Sequence, residues 1–328
     1  MRLYHRQTKF ATTDKYIEEN TFDKDYNYPI INLMENLCNI CPRKCNVNRE
    51  KSVGFCKAGV KPKINKVMLH YFEEPPISDK NGSGAIFFSS CTLKCIYCQN
   101  YEISTECEGK EVSIDTLVSL FKQLENAGAN NINLVTPTHY TEQIINALDI
   151  YRPKIPIVWN TSGYETVETI KKLKNYVDIY LTDFKYYSSD LSARLSLAPN
   201  YFEECSKATL EMRKNQPEDI FENGLMKKGM IIRHLCLPNQ TKDSEKIIDW
   251  IYENLGNKTY LSLMSQYVPM AKAKSDPELN RKIKPLEYKI LVNKLEKLGF
   301  ENVFLQDFSS ASTEYTPDFS VQESTFKF

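Results

Sequence analysis

The stretch Ala85-Ile86-Phe87-Phe88, closely followed by Cys91-Thr92-Leu93-Lys94-Cys95-Ile96-Tyr97-Cys98, decides how this chain is read. The first four residues are a short apolar run of the kind that makes a fully buried strand. The cysteines occupy the loop after it, in Cys-x3-Cys-x2-Cys spacing. Three such thiolates are enough to hold three irons of a [4Fe–4S] cube, whose usual complement is four cysteines. A missing fourth ligand leaves one iron open, and an open position on a metal is where a substrate or cofactor binds. A zinc loop is the competing reading, weakened because zinc normally takes four protein ligands. Cys107 is a weak candidate for the fourth, separated from the loop by Glu102 and Glu106 and followed by Glu108.

Working outward, short apolar runs alternate with amphipathic segments. Ser113 predicts the N-cap of a helix carrying Leu117, Leu120, Phe121 and Leu124 and ended by Gly128. Further strands are predicted at Asn133-Leu134-Val135, Ile157-Val158-Trp159, Val177-Asp178-Ile179-Tyr180-Leu181, Met230-Ile231-Ile232 and Tyr260-Leu261-Ser262-Leu263, with Val303-Phe304-Leu305 last. Helical stripes fall between them, for example Ile247, Ile248, Ile251 and Leu255, or Ile290, Leu291, Leu295 and Leu298 after Pro285. The alternation predicts an α/β fold with a parallel sheet and right-handed crossovers, a partial (β/α)6 TIM-like barrel over residues 83–310. In such barrels the chemistry lies at the C-terminal ends of the strands. Around it are predicted a polar, Tyr-rich extension (1–37), a cysteine-rich metal-binding segment (38–82) and a polar tail (311–328).

The chain has 328 residues, with 42 basic and 42 acidic side chains and a net charge of +0. That balance argues against nucleic acid as a partner. No apolar run approaches ~18 residues, which predicts no transmembrane helix. The start, Met1-Arg2-Leu3-Tyr4-His5, lacks an apolar signal core, so the expected location is the cytoplasm. In a reducing compartment, clustered thiols bind metal or do redox work rather than form disulfides.

Cys38, Cys41, Cys45 and Cys56 therefore read as a second metal site. Four thiolates satisfy zinc and equally an auxiliary [4Fe–4S] cluster. Arg43, Lys44, Arg49, Lys51 and Lys57 offset the negative charge of either. Cys107, Cys205 and Cys236 read as buried small apolar residues. His139 and His234 read as hydrogen-bonded structural histidines, and Glu73-Glu74 as a solvated loop stiffened by Pro75-Pro76.

The cysteine loop, with the aromatic Tyr97 before its last cysteine, resembles the signature of the radical S-adenosylmethionine (SAM) superfamily. The resemblance implies that SAM chelates the open iron through its amino and carboxylate groups. One electron from the cluster then splits the sulfonium into methionine and a 5′-deoxyadenosyl radical, which abstracts a hydrogen atom. Cys98-Gln99-Asn100 is similar to the Cys-His-Asn run of enzymes that activate glycyl-radical enzymes.

The wider ordered set is more specific. It runs from Cys38-x2-Cys41-Pro42-Arg43-x-Cys45 through Arg49, Gly54, Cys56, His70, Glu73-Glu74-Pro75-Pro76-Ile77-Ser78 and Gly82-Ser83-Gly84. Beyond the cysteine loop it continues with Thr136-Pro137-Thr138-His139-Tyr140, Asp183-Phe184-Lys185-Tyr186, Arg233-His234 with Pro238, and Ser265-Gln266-Tyr267. This looks like the PflX-like group, which resembles pyruvate formate-lyase activase.

By that resemblance Thr136 and Thr138 replace the Gly-Gly-Glu that binds the SAM amino group. Asn160 opens the turn after the next strand. Asp183 suits the ribose hydroxyls, Lys185 and Arg233 suit the SAM carboxylate, and Gln266 replaces a histidine. The substrate it implies is a protein, as in glycyl-radical-enzyme activation, or else a small molecule or RNA base. The reductant is of flavodoxin or ferredoxin type. The alternative from another class is a non-catalytic zinc-binding interaction protein.

Overall fold

The computed structural model describes residues 37–308, 317–319, 324 and 326–328. The expected extension over 1–37 and most of the tail over 311–328 lie outside the described residues. The chain divides into two units, Met1–Glu35 and Asn36–Phe328, and all that follows belongs to the second.

Strand β1 (Lys63–His70) leads through a short helix α1 (Pro75–Ser78) to β2 (Ser83–Phe88). After the cysteine loop come α2 (Tyr101–Ser104) and β3 (Lys110–Glu111). Helices and strands then alternate: α3 (Ile114–Asn126), β4 (Ile132–Val135), α4 (Thr141–Ile150), β5 (Ile157–Thr161), α5 (Val167–Lys172) and β6 (Ile179–Asp183). Two helices, α6 (Ser189–Ser196) and α7 (Tyr201–Asn215), precede a hairpin of β7 (Ile220–Glu222) and β8 (Leu225–Leu235). The remainder is α8 (Thr241–Leu255), β9 (Tyr260–Met264), α9 (Pro285–Leu298) and β10 (Val303–Leu305).

The sheet order is β10-β9-β8-β6-β5-β4-β2-β1-β3, with β7 on β8. From β2 to β10 all neighbours on this path are parallel, whereas β1 and β3 pair antiparallel at one edge. The sheet is open, so the barrel is partial, and its parallel run begins with β2 at Ser83. Each strand sorts its side chains by the period of two. Ile132, Leu134, Trp159, Tyr180 and Ile232 face the helices, where they join Leu117, Leu120, Phe121, Leu124, Ile247 and Ile251. Val158, Ile179, Leu181 and Ile231 face the other way and bury Ile77 of α1. The turn after β1 thus feeds a plug into the concave side of the sheet.

One carboxylate links strands that are not neighbours. Glu73 bonds Asn133 of β4 and Arg233 of β8, which are three strands apart. On a flat sheet that span is about 14 Å, at roughly 4.8 Å per strand step. The long Arg233 side chain and the two oxygens of Glu73 bridge it.

Three expectations shift. The strand predicted from Val177 begins at Ile179, because Val177 closes the preceding turn by donating to the Leu173 carbonyl at 3.0 Å. The shift brings Asp183 to the strand end. α6, α7, β1, β3 and β7 were not anticipated, since their charged and hydroxyl residues blur the apolar period. Cys205 and Cys236 are buried as expected, but Cys107 is only half-buried and adopts φ 62.

Glu287 anchors the start of α9. It takes a two-pronged bond from Arg281 (2.7 and 2.8 Å) and accepts from the amides of Asn239 (2.8 Å) and Lys284 (2.7 Å). The Arg281 hydrogen bonds hold its carboxyl down to about 2, against an ordinary 4.5. A depressed acid stabilises the fold fully above its unfolded value, and that contribution is lost as pH falls through the folded one. Glu287→Gln is therefore expected to lower the Tm at pH 7, with the gap to the native chain closing between pH 4.5 and about 2. A gap that stays constant over that range in thermal melts would refute the assignment.

Candidate active site

The cysteine loop leaves β2 and is pinned by backbone bonds. Ile96 donates to the Leu195 carbonyl (2.9 Å), and Ala273 donates to the Ile96 carbonyl (2.9 Å). Arg43 adds a bond from Nε to the Thr92 carbonyl at 2.9 Å. Thr92 and Leu93 are buried, which turns Cys91, Cys95 and Cys98 toward a cavity of about 220 Å³. Each sulfur has a donor. The Leu93 amide is 3.4 Å from Cys91, the Ser196 hydroxyl 2.9 Å from Cys95, and the Ser104 hydroxyl 3.2 Å from Cys98.

This donor set fits an iron–sulfur cube. Three thiols share one cavity, no fourth cysteine is among its described lining, and each sulfur has the hydrogen-bond partner that a ligating thiolate needs. Burial, reinforced by Cys95, pushes the bare Cys91 thiol up to about 12, and raises Cys98 likewise. A bound metal reverses that penalty, because a coordinating thiol loses its proton outright. Among the described residues no three or more His, Cys, Asp or Glu close on a single metal ion.

Facing the thiols is a charged cradle at the strand ends. Asp183 ends β6 and takes Lys185 Nζ on one oxygen (2.6 Å) and Arg233 Nε on the other (2.9 Å). Arg233, from β8, also donates to Asn160 Oδ1 (2.6 Å) and to Glu73 Oε2 (2.9 Å). The second oxygen of Glu73 accepts from the amides of Asn133 and Asn160, both at 3.0 Å. Burial alone would raise the Asp183 carboxyl, but Arg233 and Lys185 outweigh it and hold the group below its ordinary value. For Lys185 and Arg233, burial works against the charge and loses to their carboxylate neighbours, so both are raised. Glu74 is the exception, since burial raises its carboxyl and Arg233 only partly opposes that.

The structure brings most of the expected site residues together. Tyr97, Asn100, Thr136, Asn160, Asp183, Lys185, Arg233 and Gln266 all line the cavity with the three cysteines. Thr138 does not. Its hydroxyl turns away to Glu165 Oε1 (2.7 Å), which also accepts from Trp159 (3.1 Å) and Thr161 (2.6 Å). Thr136 adopts φ 59, unusual for a β-branched residue, while its amide holds the Asn160 carbonyl at 2.9 Å. Gly163, at φ +76, has no room for a side chain, since a Cβ would lie 2.4 Å from the Asp183 carbonyl oxygen.

Glu73 is the residue that sequence reasoning missed. It was expected in solvent, yet its side chain is 10% exposed and paired to Arg233. The signal was the Glu-Glu-Pro-Pro-Ile run itself, in which stiff prolines and a buried Ile77 carry the acids inward. Ser196 and Ser104 carried no signal. His139 and His234 are structural. His139 Nε2 bonds the Ser89 carbonyl (2.7 Å) and burial drives it down to about 3, while His234 bridges Phe184 (2.7 Å) and Ser244 (2.8 Å).

The four upstream cysteines are neighbours. Cys41 and Cys56 are buried, and neighbouring thiols of the four raise both further. Burial pushes Cys41 up to about 12. A Cβ on Gly54 would come within 2.8 Å of Cys45 Sγ, so only glycine lets this turn close on the sulfur. Lys44 and Asn46 adopt φ 42 and 51, and the Phe55 amide donates to Cys45 Sγ at 3.3 Å. Arg49 ties the segment to the barrel by donating to the His139 carbonyl, and its guanidinium lies 5.6 Å from the Tyr140 ring.

Removing one partner of a buried ion pair costs about 3–5 kcal/mol. Glu73→Ala is expected to fall near the low end, because Asp183 still holds Arg233, and urea unfolding measures it. A loss under about 1 kcal/mol would mean that the carboxylate is no anchor.

A family model described as the radical SAM superfamily matches residues 85–251, half of the chain. The chain is 31% identical over 299 residues to the uncharacterized protein MJ0674 of Methanocaldococcus jannaschii, covering 88% of this chain and 82% of that one. Among solved structures, SuiB of Streptococcus suis bound to S-adenosylmethionine is 14% identical with a TM-score of 0.47, covering 67% of this chain and 49% of SuiB. This chain therefore spans about half the length of SuiB. Native anSMEcpe with bound AdoMet is 16% identical with a TM-score of 0.44, covering 66% of this chain and 61% of that one. No helix among the described residues is long and apolar enough to cross a membrane. With its three-cysteine loop at the strand ends and a family match over half its length, the chain belongs to the radical SAM superfamily of enzymes.

Proposed function

We propose that this enzyme cleaves SAM reductively at a [4Fe–4S] cluster held by Cys91, Cys95 and Cys98, and uses the product to abstract a hydrogen atom. The observation that carries the reading is one cavity lined by these three thiols, by Asp183 and Lys185, and by no fourth cysteine among the described residues. When bound, a [4Fe–4S] cluster held by Cys91, Cys95 and Cys98 would supply the electron for reductive cleavage of SAM, and the cleaved SAM the hydrogen-abstracting group.

The chain's own residues divide the remaining work. Lys185 spends one of its three N–H donors on Asp183 and directs its charge to the SAM carboxylate. Asp183, held ionised, accepts from ribose hydroxyls with its remaining lone pairs. Arg233 already spends three of its nitrogens on Asp183, Asn160 and Glu73, so it braces the cradle rather than gripping SAM. Thr136, Asn100 and Gln266 offer neutral acceptors and donors around the rim. Phe87, Phe88, Leu93, Leu235 and Met264 form an apolar wall that excludes water from a reactive radical.

The ordered motifs from Cys38 to Tyr267 support a place in the PflX-like group. A protein substrate, activated by removal of a backbone Cα hydrogen as in glycyl-radical enzymes, is one reading the resemblance implies, and a small molecule or RNA base is the other. The reductant is a flavodoxin or ferredoxin. Cys38, Cys41, Cys45 and Cys56 hold a second metal, zinc or an auxiliary cluster, and the glycine-closed turn against Cys45 suits either. The family excludes the reading of a purely non-catalytic zinc protein.

Anaerobic reconstitution with iron and sulfide, then dithionite and SAM, tests the proposal. The native chain is expected to yield 5′-deoxyadenosine and methionine, and Cys95→Ala neither. Equal yields from both would sink it. Lys185→Met is expected to weaken SAM binding by roughly tenfold, the value of about 1.5 kcal/mol for a charged hydrogen bond. An unchanged Kd by equilibrium dialysis would remove Lys185 from the carboxylate.

A further inference from the structure

We propose that Ser196 is a positioning residue that tunes the catalytic cluster. Through a hydroxyl chain from Tyr97 it donates to the Cys95 sulfur and raises the cluster's reduction potential. The inference rests on the assignment of Cys91, Cys95 and Cys98 as cluster ligands.

Ser196 is the last residue of α6 and is fully buried. Its Oγ lies 2.9 Å from Cys95 Sγ and 2.6 Å from the Tyr186 hydroxyl. The Tyr186 hydroxyl lies 2.6 Å from that of Tyr97, itself inside the cysteine loop.

The direction of the chain follows from counting hydrogens. A ligating thiolate has none, so the hydrogen between Ser196 and Cys95 belongs to Ser196. That leaves Ser196 none for Tyr186, so Tyr186 donates to Ser196. Tyr97 must then donate to Tyr186. Tyr97 gives to Tyr186, Tyr186 to Ser196 and Ser196 to the sulfur, and each bond polarises the next.

The backbone holds this geometry from two sides. Leu197, the C-cap of α6, turns the chain away at φ 54. Arg43, from the upstream cysteine segment, donates from Nη2 to the Ser196 carbonyl (3.2 Å) and from Nη1 to the Leu197 carbonyl. The same guanidinium holds the Thr92 carbonyl of the cysteine loop. It thereby fixes the spacing between the end of α6 and the cluster ligands.

Reduction adds negative charge to a cluster and its thiolates. A hydrogen bond to a ligating sulfur stabilises the reduced form more than the oxidised one, and so raises the potential. Loss of the bond lowers it. The Ser196 hydroxyl bond to Cys95, at 2.9 Å, is shorter than the Ser104 bond to Cys98, at 3.2 Å.

The test is an EPR-monitored redox titration of the reconstituted protein without SAM, with iron and sulfide measured per chain. Ser196→Ala is expected to move the midpoint to lower potential, and Ser196→Thr to restore it. Tyr186→Phe is expected to move it in the same direction by a smaller amount, and Tyr97→Phe by less again. A Ser196→Ala midpoint equal to that of the native chain at full iron load overturns the inference, as does failure of threonine to restore it. Should Ser196→Ala not hold a full cluster, Tyr186→Phe decides alone, and an unmoved midpoint overturns the inference. A native chain that takes up no iron and sulfide refutes instead the cluster assignment beneath it.

Discussion

A buried arginine cannot stay charged without partners, and Arg233 draws them from three separate segments of the chain. Its guanidinium joins Asp183 of β6, Asn160 of β5 and Glu73 from the turn after β1. Glu73 can arrive only if the chain after β1 enters the concave side of the sheet, and Ile77 follows it into apolar contact with β5, β6 and β8. The ionic pairing and the apolar plug need each other. The plug shields the charges, and the charges decide where the plug lodges. A pair of this kind adds little net stability against a well-packed apolar alternative. It supplies a held carboxylate and a held ammonium at the strand ends, facing three thiols.

The thiol side depends on packing of a different kind. A loop of three cysteines has little intrinsic structure, and its shape comes from Leu195, Ala273 and Arg43, which bind its backbone from three separate regions. The upstream cysteines bear on the active site by the same route. Arg43 and Arg49 lie among them and donate to the carbonyls of Thr92, Ser196 and His139. Order in that small segment is thus passed to the cluster loop through guanidinium bonds with fixed geometry. A flexible ammonium would transmit it less well.

Much of the scaffold was legible in the sequence. The apolar runs at β2, β4, β5, β8 and β9 and the stripes of α3, α8 and α9 have clean periods because each buries one face. Asp183 and Lys185 were legible because a strand end aims alternate residues the same way. What escaped were elements whose burial is polar. β1 carries Lys63, Asn65 and Lys66, and Glu73 reads as solvent-facing until Arg233 is beside it. Thr138 turns from the cavity in a way that was hidden for a related reason. Spacing alone cannot tell whether a hydroxyl after a strand faces the cavity or the buried carboxyl of Glu165.

By itself the sequence determined the ligand chemistry and the class of fold. Three thiols at a fixed spacing after a buried strand admit few metals, and a regular exchange of periods admits few architectures. Only the tertiary structure decided which groups serve those thiols. Glu73, Arg43, Ser196 and Tyr186 reach the site from segments distant in sequence, and their value depends on distances of 2.6 to 3.2 Å. Such contacts are set by how helices and loops pack on the sheet. No local propensity carries that information.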